Sequence, residues 1–577
     1  MDRVKKWIGS NYIILIILMI ASLLRFYHID YQSVWLDEIC SINEANPNIK
    51  WSDLEGTILV SDPHPQLYFI FLKIMFLLFG YTTFVARVFS AIVGVLGVYS
   101  IYLLGKEVAN KKVGMLAAFL LTINYFHIYY SQEVRMYGLL FLLTVLSFYR
   151  LVIYLKNTTY KNAVWYGFFT GLMIFTQFFG LFVLASQMFI LLVVLLRLDK
   201  KDKLQFLFKS LVSGAIIIAI FAPAINIFIE TTKKKYAVFQ PTSVDNIKQI
   251  FKDFAYNSDP LILVSILLIA VYFIFGIKNK WFKNKEVSLM IFVLLSWLLI
   301  SLILPILRSY LVTPMITSRY FIVILPPILI FIAMGIASIN KKAIKITAVV
   351  FFGVVSLYEL TFHNDYYNKI AKTQFREISE YVIKENTKKD PVVSNLSWYL
   401  IYLFNKDESN IPIVDRGFED YVQDMIKDPE GIESFWYFGA FGNPLKLSEK
   451  STAFMEENFA IVHSLDKFDS WTRHYVPKKA QNLKEYKIPV DNIVLSNITD
   501  TYWTGGVSTN NAILLIDFSE KNVEKLRSAI RLKAKNGKSY KIIKTEKAGS
   551  FIHIYVDKSP YANKEMLQYP NPIEFLK

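Results

Sequence analysis

Leu67-Tyr68-Phe69-Ile70-Phe71-Leu72-Lys73-Ile74-Met75-Phe76-Leu77-Leu78-Phe79 is the stretch on which the fold turns. It is apolar enough to be taken for a membrane crossing. Yet it runs only about 13 residues before Gly80 and carries Lys73, whereas a crossing helix needs about 20. If it crossed, the loop with Lys106, Lys111 and Lys112 would lie outside, and every later basic loop with it. That contradicts the tendency of short cytoplasmic loops to collect Lys and Arg. Laid along the outer interface instead, it leaves the signs in agreement. The first apolar span, Ile8 to Leu24, follows Arg3, Lys5 and Lys6, which hold the N-terminus in the cytoplasm. Ile20-Ala21-Ser22-Leu23 offers no convincing cleavage site, so this span is read as a retained helix.

Further spans are expected near 84–104, 113–130, 134–155, 162–178, 180–197, 207–229, 260–277, 287–307, 320–338 and 343–361, about eleven crossings in all. The loops Lys106–Lys112, Lys156–Lys161, Asp199–Lys209, Lys278–Lys285 and Lys341–Lys345 then become cytoplasmic. Those at Ile29–Pro65, Ser131–Arg135, Glu230–Pro260 and Arg308–Arg319 become external, with Lys233-Lys234-Lys235 the departure from the bias.

Composition agrees with a polytopic α-helical membrane protein: of 577 residues 54% are hydrophobic, and the mean hydropathy is +0.36. From Phe362 onward the long apolar runs stop. Phe375–Lys384 reads as an amphipathic helix, and Pro391-Val392-Val393, Ile411–Val414, Ala512–Asp517 and Phe551–Val556 as strands. The expected division is a membrane module, 1–361, whose first external loop is 28–80, and an extracytoplasmic soluble α/β domain, 362–577. The net charge of +16 comes from lysines between spans, which points to inside-positive loops and away from nucleic acid. A single cysteine, Cys40, gives no disulfide framework and no redox pair. There is no internal repeat, Walker loop or Gly-rich dinucleotide turn.

Trp35-Leu36-Asp37-Glu38 places two carboxylates just past the first span. Adjacent helical residues point about 100° apart, so they cannot face each other across one bond as a glycosidase pair does. One of them can act as a lone general base; equally, both can be solvated loop carboxylates. Asp62-Pro63-His64-Pro65-Gln66-Leu67-Tyr68 fixes the entry to the interfacial stretch. His64 has no Cys or His neighbour at metal-ligand spacing, so no cofactor is assigned; a divalent metal stays open, with no cluster to hold it. Arg87, Arg135 and Arg319 fall at outer ends of spans. An arginine in hydrocarbon costs about 2.5–3.5 kcal/mol on insertion scales, and its fork suits phosphate. Snorkelling to lipid headgroups is the plainer account of any one of them. Tyr137 and Tyr320 beside two of them repeat one setting.

Taken in order, these motifs resemble the GT-C superfamily of membrane glycosyltransferases, and within it the protein O-mannosyltransferases and the aminoarabinose–lipid A transferases. The likeness runs from Trp35 to about Tyr320: the acidic loop motif, His64-Pro65 with Leu67-Tyr68, Ala86-Arg87, Gln132-Glu133-Val134-Arg135-Met136-Tyr137, and Ser318-Arg319-Tyr320 before Pro326-Pro327. The resemblance implies a sugar moved from a polyprenyl-phosphate donor to an acceptor hydroxyl at the outer face of the cell membrane. The acceptor is a lipid, a protein or a surface glycan. It makes Asp37 the catalytic base, with Glu38 beside it, and sets Arg87 near the donor phosphate. Arg135, Arg319, His64, Tyr68, Tyr137 and Tyr320 are the further donor-side candidates. Gln66 replaces the usual second proline and Phe69 a frequent second tyrosine, which bears on the acceptor side. A transporter or flippase for an anionic lipid-linked substrate would use the same arginines, but the sequence shows no inverted repeat. A membrane-anchored sensor would not need about eleven spans.

Overall fold

In the computed structural model, residues 2–61, 63–233, 242–406, 409–428, 431–440, 447–468, 470–479, 498–499, 511–517, 541–548 and 551–557 are described. The chain packs as two units, Met1–Tyr31 with Cys40–Lys369 and Gln32–Ile39 with Ile370–Lys577.

The first unit opens with α1 (Asp2–Phe26), whose described apolar part is Asn11–Phe26. Three short helices follow along the chain: α2 (Leu36–Glu44), whose residues up to Ile39 count with the second unit, α3 (Leu54–Val60) and α4 (Leu67–Phe79). The decisive stretch is therefore one 13-residue helix, ended by Gly80 at φ 100°, where a side chain would be strained. One face of α4 is buried through Leu67, Tyr68, Phe69, Leu72 and Phe76, while Phe71, Ile74, Leu77 and Leu78 stay exposed. Lys73 is on the buried face because its ammonium finds carbonyls: it donates to Asn46 O at 2.9 Å and to Ile49 O, and lies 5.1 Å from the Trp51 ring.

Next come α5 (Thr83–Val108), started by the Thr82 hydroxyl on Val85 N, and the bent pair α6 (Lys111–Thr122) and α7 (Tyr125–Ser131). They lead to α8 (Tyr137–Lys156), α9 (Tyr160–Ile174), α10 (Gly180–Arg197), α11 (Lys200–Phe221) and α12 (Ile225–Lys233). After α13 (Val244–Phe254), the helices α14 (Asp259–Lys278), α15 (Lys285–Leu311), α16 (Leu325–Ser338) and α17 (Lys342–Tyr358) complete the unit. Among the described residues, eight helices are long and apolar enough to cross a membrane, nine if the bent pair is one span. This is a multi-pass membrane protein.

Three expected spans differ in detail. The one at 113–130 is bent by 66° between α6 and α7. The one at 162–178 stops at Ile174, giving a 15-residue helix, because Gln177 accepts from Phe179 N and turns the chain. The first, Ile8 to Leu24, is the middle of a longer helix, α1 (Asp2–Phe26). Inside the apolar core α9 is held by a satisfied polar network: Gln187 donates to Ser147 at 2.7 Å, Tyr166 and Thr170 donate to Gln187 Oε1 at 3.1 and 3.3 Å, and Ser147 meets Thr170 at 2.7 Å. Such bonds between helices hold where lipid offers no alternative partner.

The boundary expected from the sequence lies at 361/362, and the two compact units divide between Lys369 and Ile370. The residues between stay with the first unit because Tyr367 donates to Leu24 O at 2.6 Å, Tyr366 to Gln132 Oε1 at 2.9 Å, and Tyr31 to Asn368 O at 2.8 Å. Gln32–Ile39, expected within the membrane module, counts with the second unit.

That second unit holds α18 (Phe375–Glu385), β1 (Val392–Ser394), α19 (Ser397–Lys406), β2 (Ile413–Asp415), α20 (Phe418–Lys427), β3 (Phe435–Ala440), α21 (Glu449–Asn458), β4 (Phe459–Lys467) and β5 (Ser470–Pro477). The sheet order is β2-β1-β3-β5-β4, with β1 parallel to both neighbours and the β3–β5 and β5–β4 pairs antiparallel. Helices between β1, β2 and β3 make the parallel part an α/β arrangement. Phe418, Val422, Phe435, Tyr437 and Trp471 centre its core. A four-stranded antiparallel sheet, β6 (Ile498–Thr499), β7 (Asn511–Asp517), β8 (Lys541–Ala548) and β9 (Phe551–Asp557), runs β6-β7-β9-β8.

Candidate active site

The bend between α6 and α7 organises the first unit's polar centre. A broken helix exposes carbonyls at its C-terminus, and these need donors. Arg25, buried near the end of α1, supplies them: it donates to Leu121 O at 3.0 Å and Thr122 O at 3.2 Å, and meets His127 Nδ1 at 2.8 Å. Asn124 then caps α7 through His127 N at 3.0 Å and donates to Phe254 O at 2.8 Å. Close approach of α5 completes the fit, since a methyl at Gly94 would lie 2.2 Å from Ser131 Oγ.

The bend delivers the Gln132–Tyr137 motif as the link into α8. Arg135 is buried, donating to Ser41 Oγ at 3.2 Å and to His64 Nε2 at 3.4 Å. His64 Nε2 therefore accepts, which puts the neutral ring's proton on Nδ1. The guanidinium of Arg135 is 5.9 Å from the Tyr137 ring; that of Arg319 is 5.7 Å from the same ring and 5.8 Å from that of Tyr320. The two tyrosine rings are 6.1 Å apart. Arg319 and Tyr320 lie on a 3₁₀ segment, Ser318–Ile324, that runs into Pro326 and Pro327 in the first turn of α16, where a missing N–H costs nothing. Trp297, fully buried and stacked on Phe148, holds this segment by donating to Val323 O at 2.9 Å.

Five of the expected residues thus come together: Arg135, His64, Tyr137, Arg319 and Tyr320. Two others make different contacts. Arg87 is buried, donating to Ile29 O at 3.2 Å and lying 3.8 Å from Asp30. Tyr68 is buried with its hydroxyl 3.2 Å from Ser90 Oγ. Asp62 lies outside the described residues.

Sequence reading missed four groups here. Arg25 looked like the end of an apolar run. Ser41 carries no pattern. Glu133, inside the quoted motif, is buried rather than solvated. Asp253 bonds Ser318, next to Arg319, and accepts from Gln249 at 2.6 Å; burial lifts its carboxyl above the usual aspartate range against those two bonds. The amphipathic pattern of Val244–Phe254 was the signal that could have found it. No group of three or more His, Cys, Asp or Glu that could hold a metal occurs among the described residues.

In the second unit, Asp37 and Glu38 form the first turn of α2 and do not share a setting. Asp37 is partly exposed, whereas Glu38 is fully buried. Trp35 N donates to Glu38 Oε2 at 3.4 Å, half of a capping box, and Lys372 Nζ lies 3.0 Å from the same oxygen.

The family profile of dolichyl-phosphate-mannose-protein mannosyltransferases matches residues 63–227. Among solved structures, ArnT from Cupriavidus metallidurans bound to undecaprenyl phosphate is similar with a TM-score of 0.53 at 10% identity, over 81% of this chain and 98% of that one. The chain has the GT-C fold. Within this GT-C fold, the matched segment begins at the His64 motif and includes Arg87 and Arg135, leaving Asp37 and Arg319 outside it. The Archaeoglobus fulgidus oligosaccharyltransferase AglB is also similar, with a TM-score of 0.48 at 11% identity over 84% of this chain and 76% of that one. Among curated proteins none matches by sequence.

Proposed function

We propose that this protein is an inverting glycosyltransferase that moves a sugar from a polyprenyl-phosphate donor to an acceptor hydroxyl at the outer face of the cell membrane. The observation that carries the reading is the pair of guanidinium groups, Arg135 and Arg319, brought to one tyrosine ring in a chain of GT-C fold. Two forks at one ring make a site for an anion, and phosphate is the anion whose geometry they match. A lipid phosphate leaves readily once its developing charge is met, so the chemistry needs no general acid on the leaving side. The acceptor hydroxyl does need a base, and Asp37, partly exposed at a helix N-terminus, is assigned to it. Attack opposite the leaving phosphate inverts the anomeric carbon.

Arg87, Tyr68 and the outward orientation of the second unit are proposed on the family pattern and the lysine distribution. His64, Tyr137 and Tyr320 are assigned to support of the arginines. Purified protein is given a radiolabelled polyprenyl-phosphate sugar, and release of free polyprenyl phosphate is measured with and without acceptor. Asp37→Asn keeps the shape of the side chain but removes the base, so turnover is expected to fall about 10²–10⁴-fold while donor binding survives. Near-normal transfer by that variant would overturn the assignment. Loss of donor movement and binding together, with no transfer by the wild type, would favour a transporter.

A further inference from the structure

Glu38 is 0% exposed and Lys372 only 10%, with 3.0 Å between the carboxylate and the ammonium. An ion pair taken this far out of water is retained only with good geometry, because stranding one charge is costly. It has company. Ser33 Oγ accepts from Arg376 N at 3.0 Å, and Gln32 Oε1 accepts from Ala371 N at 3.0 Å. Residues 32–38 are therefore tied at three points to 371–376, the segment that enters α18. The side-chain oxygens of Gln32 and Ser33, accepting from the backbone N–H groups of Ala371 and Arg376, fix where the loop lies. The Glu38 pair fixes how the first turn of α2 is rotated, because Glu38 is a turn residue and Asp37 is its neighbour. A helix turn cannot rotate one of two adjacent side chains without the other.

We infer that Lys372 is a positioning residue for catalysis: by pairing with Glu38 it sets the direction of Asp37, and Glu38 serves the same purpose rather than taking the acceptor's proton. This rests on the reading of Asp37 as the base. It gives the second unit a part in turnover that does not depend on binding substrate. A small misplacement of a base is enough to matter, since about 1 Å can cost about a hundredfold in rate.

The test compares four variants of the full-length protein in the lipid-phosphate release assay, with kcat and donor KM determined separately. Lys372→Met is expected to lower kcat about ten- to hundredfold with donor KM within about twofold of wild type. Lys372→Arg, which keeps a cation at that place, is expected to restore most of the rate. Glu38→Gln with Lys372→Met strands no charge and guards against a folding failure of the single variant; its kcat is expected to stay low with KM unchanged. A wild-type kcat in this double variant, beside an inactive Asp37→Asn, would overturn the inference and leave the base in place. A rise in donor KM that accounts for the whole loss would overturn it too, by moving Lys372 to the donor side. An active Asp37→Asn would remove the base itself, and this inference with it.

Discussion

Arg135 and Arg319 share the ring of Tyr137, and two cations held near one ring raise each other's energy unless negative charge stands close by. Glu133 is buried in the same motif as Arg135, and Asp253 bonds Ser318, the neighbour of Arg319. The two arginines differ in what else they hold. Arg135 also bonds Ser41 and His64, so its loss would loosen the turn at His64 as well as the anion site. Arg319 is the cleaner probe. Arg319→Gln is expected to weaken binding of a polyprenyl-phosphate sugar by more than about tenfold, the effect of losing a charge-assisted bond of about 1.5–3 kcal/mol. The thermal midpoint should change little. Unchanged donor affinity in both Arg319→Gln and Arg135→Gln, measured by equilibrium binding in detergent, would favour headgroup snorkelling. These side chains were legible as candidates because an arginine at a span end is rare enough to notice. Their shared ring was not, since Tyr137 and Tyr320 are far apart in sequence and nothing local says they meet.

At the level of elements, the second unit carries a group sensitive to acid. His474 on β5 stacks on Trp436 of β3 at 4.5 Å and lies beside His463 of β4, with its Nε2 2.8 Å from Asp390 Oδ2. Burial pushes its imidazole below the usual 6.5, Asp390 pulls it back up, and His463 and Lys388 add to the lowering. The folded unit therefore binds this proton less readily than the unfolded chain. Its contribution to stability is whole above pH 6.5 and declines as pH falls below it. The midpoint of unfolding followed by tryptophan fluorescence should drop between pH 7 and pH 5.5, and His474→Gln should flatten that slope. An equal slope in the variant would assign the sensitivity to other groups. Element boundaries were readable where periodicity was strong. Phe375–Lys384 was expected as a helix and α18 ends one residue later; Ala512–Asp517 and Phe551–Val556 each fall within a strand. The bend at Asn124 was not readable, because Ile123 and Asn124 interrupt no apolar period strongly; only the later carbonyl partners of Arg25 reveal it. Gln32–Ile39 escaped for a similar reason, since three long-range bonds decide its allegiance.

For the whole molecule, whether α4 crosses decides on which side the basic loops lie, and its 13 residues favour no crossing. In a Cys40→Ser background, single cysteines at Ser61, Gln132 or Thr313 are expected to react with an impermeant thiol reagent on intact cells, and cysteines at Asn110 or Asn279 are not. Labelling of Asn110 from outside would make α4 a crossing and invert everything after it. The buried Arg25 has a consequence for how such a chain is made. Its partners Leu121, Thr122 and His127 are encoded 96 to 102 residues downstream. At about 5–20 residues per second of synthesis, that is a wait of roughly 5–20 s. Throughout it the guanidinium has only Ala21 O of its own helix and the lipid headgroups to bond, so the end of the first helix stays unsettled. A ribosome stalled anywhere in that interval leaves a nascent chain whose Arg25 still lacks the partners that α6 and α7 bring to it.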